Sequence, residues 1–307
     1  MTRRKFIESA TSAAAVTAAT GSFAAPAAAG DRYRATQALI DQVRGADYAR
    51  YCTLPVEQGE ANDRLGRFKF PVLVELEEAF DRVVEAVKTT TVTDKPAVWH
   101  VYNMGTVVKT RETCFAIDLR HRRGHELAPL LDFAVITHNH GDHFTEEFYR
   151  AMNGAKKMVI SNFKDNYAAY FAKKPAGYVR GKKTFAVKDV TVRASLTDHN
   201  GYLIDYTTAV EITIGDFVLL HTGDCANVGK VDRASANPDL WIVHPYCGTK
   251  TEEAVKTVNP KLTVLAHLNE LGHDKWRFGW KDGFSVKKKV EAAGYQAIVP
   301  LWGDRIQ

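Results

Sequence analysis

From Pro96 onward the chain is written in short apolar runs separated by turn residues, and each run is short enough to be a strand. Ala97 to Asn103, Thr106 to Lys109, Thr113 to Leu119 and Asp132 to Thr137 come first, followed by a helical pattern from Asp142 to about Met152. Strands are predicted again at Lys157 to Ser161, Val190 to Leu196, Tyr202 to Tyr206, Ala209 to Ile214, Phe217 to His221, Leu240 to His244, Leu262 to His267 and Gln296 to Pro300. Helical patterns at Asp165 to Ala172, Glu252 to Val258 and Ser285 to Ala293 interrupt them, so the mixture is that of a layered α/β domain. Ahead of it, Ala35, Leu39, Val43 and Ala46 keep one helical stripe. Pro71 opens a second helix with Leu73, Leu76, Phe80, Val83 and Val87 on one side and Glu75, Glu77, Glu78, Asp81 and Glu85 on the other, expected to face solvent. The stretch from Gln58 to Arg67 reads as the loop between the two.

The first thirty residues have a different texture. Arg3, Arg4 and Lys5 precede a weakly apolar run of Ala, Thr and Ser that ends in Ala27-Ala28-Ala29, the layout of an export signal with a cut after Ala29. The paired arginines followed by Lys-Phe-Ile resemble a twin-arginine signal, which implies recognition by the twin-arginine export machinery and a periplasmic or secreted destination. No later stretch is long and apolar enough to span a bilayer, so no stable membrane insertion is expected after cleavage.

Composition adds exclusions. Of the 307 residues 45% are hydrophobic and 25% charged, as in ordinary globular proteins. Two of the five net positive charges lie in the signal (Arg3, Arg4 and Lys5 less Glu8), which leaves no case for nucleic acid as a partner. The 4 cysteines, Cys52, Cys114, Cys225 and Cys247, form no CxxC pair, so neither a disulfide scaffold nor a cysteine zinc site is expected.

The histidines carry the chemistry. The apolar strand Phe133-Ala134-Val135-Ile136-Thr137 runs straight into His138-Asn139-His140-Gly141-Asp142-His143. In such a turn the two imidazoles spaced by one residue can aim at one point, and Asp142 and His143, at the start of the next helix, can aim at a second. That is a template for two divalent ions roughly 3.5 to 4 Å apart.

This motif resembles that of the metallo-β-lactamase superfamily of metallohydrolases, and the resemblance covers about Pro96 to the C-terminus. It implies an α/β fold in the form of a four-layer αββα sandwich, here with an N-terminal helical extension. The organisation is then an export signal at 1–29, the extension at 30–95 and a catalytic domain at 96–307. It also implies later ligands at strand ends: His199 in Thr197-Asp198-His199-Asn200, Asp224 in Thr222-Gly223-Asp224, and His267 after Leu262 to Ala266. Carried across, the first metal is held by His138, His140 and His199, the second by Asp142, His143 and His267, with Asp224 bridging and Asp142 and Asp224 as the catalytic carboxylates. Glu270 and His273 lie close enough to substitute for His267. Imidazole and carboxylate donors without thiolate suit zinc and also allow iron or manganese.

Such a pair of cations activates a bridging hydroxide. The expected activity is therefore an exported hydrolase that cleaves an ester, lactone or phosphodiester bond of a small-molecule substrate. Asp224, where the main zinc β-lactamases carry Cys, makes the chain more similar to the lactonase and phosphodiesterase branch. An iron-dependent redox enzyme, a β-lactamase and a non-enzymatic metal carrier are the alternatives. His244, at the end of another strand, is a candidate substrate-binding residue; His221 and Cys225 read as core. His121 and His125, among Arg120, Arg122 and Arg123, read as a solvated loop. Trp276, Phe278, Trp280 and Phe284 are expected to pack on the N-terminal helices, and Asn103 and Gly105 to form a flap over the metals.

Overall fold

The computed structural model describes residues 26–43, 71–163, 176–248, 250–273 and 278–307. Residues 1–25 of the expected export signal, Ala46, the expected Gln58 to Arg67 loop, Trp276 and the helix expected at Asp165 to Ala172 lie outside them.

Two sheets form the centre. Strands β1 (Ala97–His100), β2 (Thr106–Lys109), β3 (Cys114–Ile117), β4 (Phe133–Val135) and β5 (Met158–Ile160) make the first, in that spatial order. The second runs β12-β11-β10-β9-β8-β7-β6, from β6 (Lys182–Val187), β7 (Val190–His199), β8 (Leu203–Ile214), β9 (Phe217–His221), β10 (Leu240–Val243), β11 (Leu262–Leu265) and β12 (Ala297–Ile298). Each sheet changes sense partway. Pairings from β1 to β3 and from β6 to β9 are antiparallel, whereas β3-β4-β5 and β9-β10-β11-β12 are parallel.

Alternation along the strands shows why two sheets stack. Val98, Phe115, Ile117, Phe133 and Val135 of the first sheet share one core with Val192, Val210, Ile212, Leu240, Ile242 and Val264 of the second. The intervening Trp99, Ala116, Ala134, Trp241, Val243 and Leu265 point outward into a second core completed by helices. These are α1 (Pro26–Ile40), α2 (Pro71–Thr89), α3 (Glu146–Gly154), α4 (Thr251–Val258) and α5 (Trp280–Ala292). Strands covered on both faces read as continuous apolar runs, which is how they stood out in the sequence.

Helix α2 begins at Pro71 and buries Val72, Leu73, Leu76, Phe80, Val83 and Val87. Its acidic side is not all solvated as expected. Glu77 is buried and accepts hydrogen bonds from Arg122 Nε at 2.6 Å and Arg123 Nη1 at 3.1 Å, and His121 stacks on Phe80 with ring centroids 4.0 Å apart. The basic loop therefore clamps α2 instead of standing in water. His121 is pushed from 6.5 down to about 3, foremost by burial, against the opposing pull of Glu77. Half of the aromatic segment packs on the N-terminal helices as expected, Tyr33 of α1 making edge contacts with Trp280 at 5.3 Å and Phe284 at 4.9 Å, whereas Phe278 stacks on Tyr246 at 4.2 Å.

Several elements differ from expectation. Helix α3 starts at Glu146 because Thr145 caps it, its Oγ1 accepting from Phe148 N at 3.1 Å. The two strands expected at 202–206 and 209–214 are one, β8, since Thr207 and Thr208 are good strand residues. Strand β6 was not foreseen, nor the 3-10 segment Gly124–Leu130.

Candidate metal centre

The site is built from the ends of strands. His138 and His140 follow β4, His199 ends β7, Asp224 follows β9, and His267 follows β11. With α3 beginning only at Glu146, Asp142 and His143 sit in a tight turn, closed by His143 N donating to His140 O at 3.1 Å, not in the helix as expected. Gly223 makes the approach of Asp224 possible. Its φ is +54°, and a Cβ there would stand 2.8 Å from Thr137 Oγ1, so any other residue would push the β9 end off the histidine turn.

Two donor groups result. His138, His140 and His199 place one ring nitrogen each within 4.8 Å of one another, and Asp142, His143 and His267 do the same with a carboxylate oxygen and two nitrogens. Asp224 stands between them: its carboxylate lies 3.3 Å from His199 Nε2, 3.4 Å from His143 Nε2 and 3.6 Å from His267 Nε2. All seven residues of the expected ligand set thus converge. His267 Nε2 also meets Asp142 Oδ2 at 2.9 Å, while His273, half-exposed, approaches that oxygen only to 3.9 Å. Glu270 turns away to accept from Tyr102 Oη at 3.0 Å.

The donors fit cations. Nε2 of His138, Nε2 of His143, both ring nitrogens of His199 and Oδ1 of Asp224 are buried without a hydrogen-bond partner. An unpaired buried polar group costs about 1–3 kcal/mol, which a cation taking the lone pairs would remove. The field points the same way. Burial alone would raise the carboxyls, yet His143 and His267 outweigh it and hold Asp142 and Asp224 well below the usual carboxylate range. Conversely, the carboxylates overcome burial to hold His143 and His267 above the usual range, whereas His138 falls well below it through burial and its imidazole neighbours.

Supporting groups escaped the sequence reading. Asp118, fully buried after β3 with φ of +48°, accepts from Thr137 N and Thr137 Oγ1 at 2.7 Å each and pairs with His143 Nδ1 at 2.8 Å. It fixes the ring so that Nε2 faces the donor cluster. Asn103 is no flap: it is fully buried, and its Nδ2 donates to Asp142 O at 2.8 Å. Tyr206 sets its ring 5.3 Å from that of His140 and 5.9 Å from those of His138 and His199, and its hydroxyl donates to Asn139 Oδ1.

His244 is buried, stacks on His267 at 3.9 Å with planes 5° apart, and groups with Asp224 and His267 as a further set of metal-capable donors. His221 is core, its Nε2 3.1 Å from Met104 O, and Cys225 is buried beside Thr197 Oγ1 at 3.2 Å. The cage is not free of thiol as expected. Cys247, on the loop after β10, forms a donor group with His199 and Asp224. Burial, then Asp224, raise its thiol, while the Asn200 backbone N–H pulls it back down.

No family model matches the sequence. Among solved structures the chain is similar to Igni18, a metallo hydrolase from the hyperthermophilic archaeon Ignicoccus hospitalis, with 19% identity over 69% of this chain and 98% of that one and a TM-score of 0.53. It is similar to the metallo-β-lactamase fold protein YhfI from Bacillus subtilis, with 14% identity over 70% and 100% of the two chains and a TM-score of 0.51. An isothiocyanate hydrolase from Delia radicum gut bacteria matches with 13% identity over 69% and 98% and a TM-score of 0.51. At these identities the likeness is one of architecture, and with two stacked sheets between helices and the donor cluster at their edge, the chain has the metallo-β-lactamase fold.

Proposed function

We propose that this protein is a metal-dependent hydrolase that cleaves an ester, lactone or phosphodiester bond of a small-molecule substrate, and that it works outside the cytoplasm after twin-arginine export. The observation that carries the hydrolase reading is the placement of Asp224 between the two donor groups, within 3.3 to 3.6 Å of histidine nitrogens from both. A carrier of one ion needs no such shared carboxylate.

His138, His140 and His199 would hold one divalent cation and Asp142, His143 and His267 the other. When bound, the pair supplies Lewis acidity and a water acidified to near neutrality. The chain's own residues prepare the rest. Asp118 keeps the proton of His143 on Nδ1, leaving Nε2 as a donor lone pair. Asn103 pins the backbone of Asp142, and Tyr206, through Asn139, holds the turn that carries His138 and His140. His244 Nδ1 accepts from Tyr246 N at 3.3 Å, which places the proton of a neutral ring on Nε2. Burial, then His267, hold that ring well below its ordinary pKa, so it stays a neutral donor able to orient a substrate oxygen.

The test is elemental analysis of the purified protein joined to a hydrolysis screen over esters, lactones and phosphodiesters, with metal-stripped protein as control. Two zinc or manganese ions, and activity lost on stripping and in His140→Ala, are expected. Protein without divalent metal, or His140→Ala with full activity, refutes the reading; stoichiometric iron in anaerobically purified protein, without hydrolysis, moves it to redox chemistry on the same donors.

A further inference from the structure

Among the described residues, two buried groups of the cage lie outside the seven histidine and aspartate donors: His244, assigned above to the substrate side, and Cys247. Cys247 sits on the loop after β10 with 5% of its surface exposed, and its sulfur falls within 4.8 Å of a His199 ring nitrogen and an Asp224 carboxylate oxygen. One ring nitrogen of His199 belongs to that group, and both of its ring nitrogens are buried without a hydrogen-bond partner. The loop is held there by its backbone. Gly248, next in the chain, has φ of +85°, and a Cβ on it would come within 3.1 Å of Ala226 Cβ and 3.7 Å of Asn200 Cα. Only glycine lets the Cys247 turn press this closely on the hairpin that follows His199.

The thiol is oriented as well as placed: Sγ donates to Asp224 O at 3.1 Å, which keeps the sulfur beside the residue whose carboxylate shares its donor group. By contrast Cys225, one residue after Asp224, spends its sulfur on Thr197.

From this geometry we propose that Cys247 is an additional metal ligand, giving the His199–Asp224 side of the cage a sulfur donor that favours a thiophilic cation such as zinc over manganese. On binding, the thiol proton passes to solvent and the sulfur lone pair forms the bond to the cation; no oxidant or reductant is required. The inference rests on the metal-centre reading above and adds to its ligand set.

Cobalt(II) titrated into metal-stripped full-length protein is expected to give a near-ultraviolet sulfur-to-cobalt charge-transfer band beside the visible ligand-field bands. Cys247→Ser should abolish the charge-transfer band, keep the ligand-field bands, and weaken zinc by at least the roughly 10–100-fold that loss of a group behind a ligand costs. Its manganese affinity should stay unchanged, and Cys225→Ser should keep the band. X-ray absorption of zinc-loaded wild-type protein supplies a reading that needs no substitution: a sulfur neighbour at about 2.3 Å is expected. Two bound zinc ions with only nitrogen and oxygen neighbours overturn the Cys247 assignment and leave the metal centre standing. Protein that binds neither cobalt nor zinc overturns both.

Discussion

Asp118→Asn changes almost no volume at a fully buried position, and its effect is to reverse one hydrogen bond. In the wild type, Asp118 Oδ1 accepts from Thr137 N, while Oδ2 serves Thr137 Oγ1 and His143 Nδ1. An asparagine can keep its carbonyl toward Thr137 N, which puts its NH2 group against His143 Nδ1. That pairing survives only if Nδ1 becomes the acceptor and the ring proton moves to Nε2. Nε2 is the nitrogen that faces Asp224 Oδ1 at 3.4 Å and Asp142 Oδ2 at 3.6 Å, so the substitution blocks the lone pair a cation needs. Restoring the right tautomer means giving up a hydrogen bond to a charged group, about 1.5–3 kcal/mol. At about 1.4 kcal/mol per decade, that is one to two decades of affinity. The assay is competition for zinc between metal-stripped protein and a chromophoric chelator. Asp118→Asn should bind one cation with nearly wild-type affinity and the other about 10–100-fold more weakly. A folded variant that binds both cations as tightly as the wild type would refute the tautomer argument.

Gly223→Ala forces a Cβ to within 2.8 Å of Thr137 at a φ of +54°, so it should lower stability by about 1–3 kcal/mol for the backbone strain alone and weaken cation binding, read by thermal melts and zinc titration. Glu77→Ala removes the buried carboxylate that Arg122 and Arg123 meet and should cost about 3–5 kcal/mol in urea unfolding, whereas an exposed control such as Glu253→Ala should stay near wild type. In metal-free protein His121 makes stability acid-sensitive. Its folded pKa, about 3, lies below the ordinary 6.5, so between these values the unfolded chain binds the extra proton and stability rises with pH; it is lost, at about 1.4 kcal/mol per unit, as pH falls from 6.5 toward 3. Replacing His121 by Phe should remove that part of the slope, and an unchanged slope would sink the assignment.

How much of this was legible depended on whether the information was local. The turn from His138 to His143 announces itself because six successive residues carry it, and α2 is marked by Pro71 and an apolar stripe that the structure buries. The start of α3 is local too, at Thr145, but Asp142 is a residue type that also begins helices, and what takes it out of that role is its place in the donor cluster. Glu77 and His121 could not be read in this way. On a helix wheel Glu77 belongs to the acidic side, and only the loop with Arg122 and Arg123, folded over from beyond β3, turns that side inward. Cys247 was invisible for the same reason: its partners, His199 and Asp224, are brought by β7 and β9.

Yet the groups that were missed obey one rule. In both sheets the parallel strands deliver their carboxyl ends to the same edge, and a ligand site in such sheets belongs beyond those ends. Asp118 follows Ile117 of β3, His138 comes shortly after Val135 of β4, Asp224 after His221 of β9, His244 and Cys247 after Val243 of β10, and His267 after Leu265 of β11. Even β5 conforms, for Asn162, just after Ile160, is buried and donates to the backbone of Tyr206, the residue whose ring covers the first three imidazoles. Read by strand end and not by residue type, the polar residues following β3 and β10 become candidates of the same standing as the histidines. The thiol of Cys247 then stands where its strand end places it, in one donor group with the carboxylate delivered by the strand next door.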